Sequence, residues 1–190
     1  MMYNELRGFV LFVLSQIIVV IADCLFVCSM LSKSKLKLTI FLLGSDIMFA
    51  LHYLCLGALS GFIILCIDAA FLVVAFLLQH FNKDEFLPIV GLIAISLIIT
   101  SGILTWAGAI SLLPVFAIST YMASMMFKNL IVVKIGTTIR NILNVIYIFL
   151  LGSFIGAILE FCLLINSIFG TILTVKQYKN DNILQKTDKN

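Results

Sequence analysis

Charge is what this sequence has least of. Only 11% of its residues are Asp, Glu, Lys or Arg, against about 25% in water-soluble chains. With 63% hydrophobic residues and a mean hydropathy of +1.22, that scarcity excludes a soluble domain and leaves a polytopic membrane protein. A nucleic-acid partner is excluded as well. The net charge of +3 comes largely from lysines beside apolar spans, and no basic stripe with interleaved aromatics lies outside them. The expected partner is the lipid bilayer.

Catalytic and metal-binding patterns are also missing. The two histidines, His52 and His80, fall at opposite ends of adjacent spans, and neither HExxH nor GxSxG occurs, so no enzymatic activity is expected. The five cysteines, Cys24, Cys28, Cys55, Cys66 and Cys162, all lie in apolar runs without CxxC or Cys/His spacing. They read as small buried hydrophobes, and no metal or other cofactor is expected. The first apolar run is too long for a signal-peptide core and no small-x-small site follows it, so it is expected to stay in the mature protein.

What the sequence has is seven apolar runs, at 9–31, 38–56, 62–81, 87–106, 110–127, 130–151 and 154–175, taking about 20 residues per crossing. Every connection is short, which makes consecutive helices antiparallel neighbours. Lys33, Lys35 and Lys37 follow the first run, Lys83 the third, Lys128 the fifth, and Lys176 and Lys179 the seventh, whereas GALSG, WAG and GSFIG on the other side carry no charge. Because Lys and Arg collect in cytoplasmic loops, the N-terminus is expected outside and the C-terminus in the cytoplasm. Arg7, accompanied by Glu5, is the exception.

Shifting the chain by 95 residues against itself aligns Ser29, Met30 and Lys33 with Ser124, Met125 and Lys128. The same shift places Asp46 on Asn141, and Leu56, Gly57 and Gly61 on Leu151, Gly152 and Gly156. One span separates the two copies, so they enter the membrane in the same orientation, a parallel repeat. The expected fold is an all-α membrane protein of seven transmembrane helices in a three-one-three order. Residues 1–83 form the first three-helix repeat, 84–107 a linker helix, 108–176 the second repeat, and 177–190 a disordered cytoplasmic tail rich in Lys, Asn and Asp. The GxxxG pairs Gly57/Gly61 and Gly152/Gly156 are read as structural, allowing tight outer turns and close helix approach.

Charged residues inside the spans are the candidate site, since each costs roughly 2.5–3.5 kcal/mol on insertion scales. Arg140 lies near the middle of its span, and Asp46, at the equivalent depth of the equivalent helix, is its expected partner, as an ion pair or a gate. Asn141 and Asn144 share a face with Thr137 and give that helix a polar stripe. Four acids, Asp23, Asp46, Asp68 and Glu160, stand against the one guanidinium. The surplus acids are expected to be protonated or to face water, which makes Asp23 and Glu160 candidates for proton coupling. Pro114 is a candidate hinge.

The runs LHYLCLGALSGFIILCIDAAF and GTTIRNILNVIYIFLLGSFIGAILEFCLLINSIFG resemble the YgjV-type family of bacterial inner membrane proteins over nearly all of the chain except the tail. More distantly, the three-one-three parallel repeat is similar to the SWEET sugar facilitators and other PQ-loop proteins. In those transporters an asparagine pair, one from the third helix of each repeat, faces the substrate at mid-membrane. The resemblance carries that role to Asp68 and Asn166, with an acid in place of one amide, which favours a cationic, zwitterionic or proton-coupled solute over a neutral sugar. The chain departs from the pattern in lacking the Pro-Gln pair and all hinge prolines but Pro114.

The expected function is therefore a small-solute transporter of the bacterial inner membrane working by alternating access. Asp68, Asn166, Asn141 and Asn144 are the expected solute contacts. The competing reading is a non-transporting scaffold or regulatory protein whose polar residues only fix helix packing. Solute identity, coupling ion and homo-oligomerisation are left open by the sequence.

Overall fold

Inside hydrocarbon no water satisfies backbone N–H and C=O groups, so a chain this apolar closes its hydrogen bonds within helices. The computed structural model describes residues 2–55, 59–104, 108, 110, 112–150 and 154–187, and all regular structure among them is helical. The α-helices are α1 (Met2–Leu31), α2 (Lys35–Cys55), α3 (Leu59–His80), α4 (Leu87–Leu104), α5 (Leu112–Met125), α6 (Leu130–Leu150) and α7 (Phe154–Thr187). A 3-10 turn, Asp84–Phe86, leads into α4. Gly57, Gly152 and Trp106 lie outside the described residues.

Six of these helices are long and apolar enough to cross a membrane. α5 has 14 residues, about 21 Å at 1.5 Å per residue, less than the roughly 30 Å of the hydrocarbon core. The fifth crossing, expected over 110–127, is thus shorter in its described part. Pro114 stands in the first turn of α5, where its missing N–H sacrifices no helical bond, so it marks a helix start and not a kink. At the other end Asn129 accepts a hydrogen bond from the Ile131 N–H at 2.9 Å and caps α6, which obliges α5 to stop before it. α7 runs on as helix to Thr187, where the sequence suggests a disordered tail from residue 177. No Gly or Pro occurs between 177 and 187 to break it.

Helices adjacent in sequence pack on one another from α1 through α7, and α7 returns against α1, which closes the bundle. Met30, Leu42, Leu72, Ile98, Met122 and Val133 fill its interior, while Val20, Leu92, Ile103 and Phe161 point outward, as they do where the solvent is lipid. Cys24, Cys28, Cys66 and Cys162 are exposed on that surface and Cys55 is half-buried. The expectation of buried cysteines fails because a small hydrophobe is as well placed against lipid as against protein. Many hydroxyls bond their own helix one turn back, for example Ser32 to the Cys28 carbonyl at 2.9 Å and Thr100 to Ser96 at 2.8 Å, which removes the cost of a free donor in the membrane.

Small residues set the close approaches. α4 buries Gly91, Ala94 and Gly102 on one face, with Met126 and Val115 occupying the space a side chain would take at the two glycines. Gly170 on α7 lies directly against the Met30 carbonyl at the end of α1. A methyl group there would meet backbone, which cannot rotate away. Gly170→Ala is accordingly expected to push α7 off α1 and cost about 1–3 kcal/mol, read as a lower unfolding midpoint in detergent. Gly44→Ala, where the added carbon meets only the Leu25 side chain at 3.3 Å, is expected to change the midpoint far less.

Candidate functional site

α6 is the most one-sided of the seven helices. Its buried residues, Val133, Lys134, Gly136, Thr137, Arg140 and Asn141, recur every three or four positions and so occupy a single face. Arg140 stands ten residues from each end of α6. Asp46 and Asp68 occupy comparable central positions in α2 and α3. The cluster therefore sits at mid-depth, where an unpaired charge is costliest.

There the Arg140 guanidinium lies between two carboxylates. Its Nη2 is 3.5 Å from Asp46 Oδ1 and its Nη1 is 3.3 Å from Asp68 Oδ2. All three side chains are buried, with Arg140 8%, Asp46 2% and Asp68 0% exposed. The Tyr121 ring of α5 closes a further side, 5.0 Å from the guanidinium carbon. Four helices, α2, α3, α5 and α6, thus meet on one cation. Both ionic contacts are longer than the 2.7–2.9 Å typical of a charge-assisted bond. Asp46 Oδ2, Asp68 Oδ1 and the Tyr121 hydroxyl have no hydrogen-bond partner. For so buried a cluster this is incomplete satisfaction.

The remaining candidates spread outward from this centre. Asn141 Nδ2 donates to Ser167 Oγ at 2.6 Å and joins α6 to α7. Asn166, next to Ser167, is half-buried with its amide nitrogen unpartnered. Asn144 is half-buried one turn beyond Arg140, and Thr137 is bound to its own helix at the Val133 carbonyl, 2.9 Å away. Asp68 is engaged by Arg140, not by an amide across the bundle. Asp23 and Glu160 are half-buried, Glu160 interacting electrostatically with Arg140 and Asp23 with Glu160. Among the described residues no group of three His, Cys, Asp or Glu side chains is placed to hold a metal ion.

Lys134 is a feature that sequence reasoning passed over. It is 1% exposed, and its ammonium donates to the carbonyls of Met30 at 2.6 Å, Ser32 at 2.8 Å and Gly170 at 3.4 Å, and to Thr174 Oγ1 at 2.7 Å. The first two belong to the end of α1, where unpaired carbonyls concentrate negative charge. One lysine therefore ties α6 to α1 and α7. Lys35, less buried, joins the start of α2 to the segment between α5 and α6 by donating to the Phe127 carbonyl at 2.8 Å. Tyr121 was also missed, because nothing in its apolar surroundings on α5 distinguishes it from a core aromatic.

A cavity of about 420 Å³ lies elsewhere, between α3 and α4, lined by apolar side chains including Phe62, Phe71, Val90 and Leu97. It faces lipid and includes none of the cluster.

A family model described as Imp-YgjV, bacterial inner membrane protein, matches residues 13–179 of the chain. No curated protein and no solved structure matches it.

Two stability predictions follow from these contacts. Arg140→Met abandons two buried carboxylates to each other and is expected to cost about 3–5 kcal/mol in reversible detergent unfolding. The triple change Arg140→Met, Asp46→Leu, Asp68→Leu removes the stranded charges and is expected to recover most of that loss. Lys134→Met strands the carbonyls at the end of α1 and is expected to cost about 1–3 kcal/mol in the same assay.

Proposed function

The chain belongs to the Imp-YgjV family of bacterial inner membrane proteins, and on that footing we propose that it carries a small solute across the membrane by alternating access. The observation that carries this reading is the mid-membrane cluster itself. It brings one cation and two acids together from three helices, at contacts of 3.3 and 3.5 Å, beneath an aromatic ring from a fourth, with polar atoms left over to bind something else. Transporter sites of this kind lie near the bilayer midplane, where repeats meet.

In this mechanism α1–α3 and α5–α7 are the two parallel three-helix repeats, SWEET-like in order, with α4 as linker. Arg140 and Asp46 bridge them as the gate. A cationic or zwitterionic solute competes with Arg140 for Asp68, and Asn166, Asn141 and Asn144 supply amides to its polar groups. The N-terminus lies outside and the C-terminus in the cytoplasm, so the end of the bundle held by Lys35 and Lys134 is cytoplasmic. Pro114 starts α5 beside the linker, at a position where one repeat can turn against the other. The protein acts without a cofactor and is not an enzyme. Its partners are lipid and the solute, with self-association compatible with the exposed apolar faces.

A second reading is favoured by one observation, the near-complete burial of the three charged side chains. A site closed to water on both sides also suits a scaffold or regulatory subunit in which the cluster fixes packing. Proteoliposomes loaded with candidate cationic and zwitterionic solutes separate the two. Transport predicts uptake that falls at least tenfold in Asp68→Asn, with the protein still folded. Scaffolding predicts no uptake under any condition, and variants that change only stability or partner capture.

A further inference from the structure

We infer that Asp46 and Asp68 together form a proton-binding site, holding one exchangeable proton between their carboxyl groups beside Arg140. Three observations lead there. One guanidinium against two carboxylates leaves an uncompensated negative charge at the middle of the membrane, where no solvent shares it. Each carboxylate spends one oxygen on Arg140, and the oxygens left over, Asp46 Oδ2 and Asp68 Oδ1, have no donor. The two carboxyl groups also lie within hydrogen-bonding reach of each other. Two buried, interacting carboxyl groups with a bare oxygen on each lack one thing, a hydrogen.

A single proton taken from water satisfies all three conditions. It forms an O–H bond on one carboxyl and is donated to the free oxygen of the other. The cluster then carries no net charge, and Arg140 keeps both of its contacts. The wholly buried Tyr121 hydroxyl, itself without a partner, is a further unsatisfied polar group beside the pair.

The groups facing the pair define what else can hold the proton. Arg140 of α6 touches both acids, and Tyr121 of α5 interacts electrostatically with both. From α7 Glu160 acts on Arg140, from α1 Asp23 acts on Glu160, and from α2 His52 acts on Asp23. α4 contributes no titratable side chain. Glu160 lies ten residues before Gly170 on α7, about 15 Å along the helix from the Lys134 contacts. Glu160 thus stands farther from the Lys134 end than Arg140, which is six residues along α6. The pair is the proton's resting place, and Glu160 and Asp23 are further acids that act on the cluster electrostatically.

Coupling of this proton to solute movement rests on the transport reading above; its presence at the pair does not. The test is infrared spectroscopy of the full chain in lipid at neutral pH, reading the carbonyl-stretching band of a protonated carboxylic acid that shifts in D₂O. The expected result is a band lost in Asp46→Asn and in Asp68→Asn and retained in Asp23→Asn and Glu160→Gln. A wild type without the band, a band that survives both pair variants, or a band removed only with Glu160 or Asp23 overturns the proposal. Should a pair variant fail to fold, wild type carrying ¹³C at its aspartate carboxyls keeps the test decisive. The band must then move with the label and persist in Asp23→Asn, and a band that stays put overturns the site. Proteoliposomes of the same preparations report flux separately. A retained band without flux supports the proton site and counts against transport.

Discussion

A guanidinium cannot give up its charge under ordinary conditions, and in hydrocarbon it has no water to share it with. Arg140 therefore dictates much of what surrounds it. Three helices must supply counter-charge and an aromatic face at the depth of Arg140, which fixes the rotation of α2, α3 and α5, with α6 itself, about their axes. The apolar surface of the bundle exerts no comparable control, because lipid and protein interior are equally acceptable to Leu, Ile and Cys. Exposed cysteines on α1, α3 and α7 illustrate that indifference.

At the other level of the bundle Lys134 imposes a second constraint of the same kind, solved with different partners. Where Arg140 meets carboxylates, Lys134 meets carbonyl oxygens at the end of α1, on α7 and on its own side of the membrane, so no formal counter-charge is needed. Gly170 makes this arrangement geometrically accessible, since α7 must come close enough for its carbonyl and that of Met30 to share one ammonium. The charged centre at mid-depth and the ammonium clasp near the lysine-rich end lie on one face of α6, less than two turns apart. That face is why α6 alone shows a strong polar stripe.

Much of this was written in the residue order. Run lengths, lysine-bearing loops and short connections point to the helices and their sequential packing, because an apolar run of about 20 residues satisfies its own backbone in lipid only as a helix. The depth of Arg140 and Asp46 was legible from their places within the runs. What could not be read was rotation. Asp68 falls at mid-span like Asp46, yet only packing decides that it turns to Arg140 and not toward Asn166. Tyr121 resembles any apolar-face aromatic, and Lys134, inside the sixth run, carries no sign of its role, because a partner made of carbonyl groups leaves no trace in the sequence. The tail misled for a related reason: polar composition suggested disorder, whereas the absence of any helix breaker let α7 continue.

Stability alone gives a weak account of the central cluster. Replacing a buried ion pair with well-packed apolar side chains is often neutral or favourable, and this bundle already has close glycine contacts, the Lys134 clasp and the Asn141–Ser167 bond to hold its helices together. A structural ion pair would also be expected to close its contacts and balance its charge. This cluster does neither: its ionic distances are long, its acids outnumber its cation, and an oxygen on each acid is idle. An arrangement costly to build and left one hydrogen short is what the proposed proton site accounts for. The smallest group that completes it is a proton, which supplies the missing hydrogen and balances the charge without displacing Arg140.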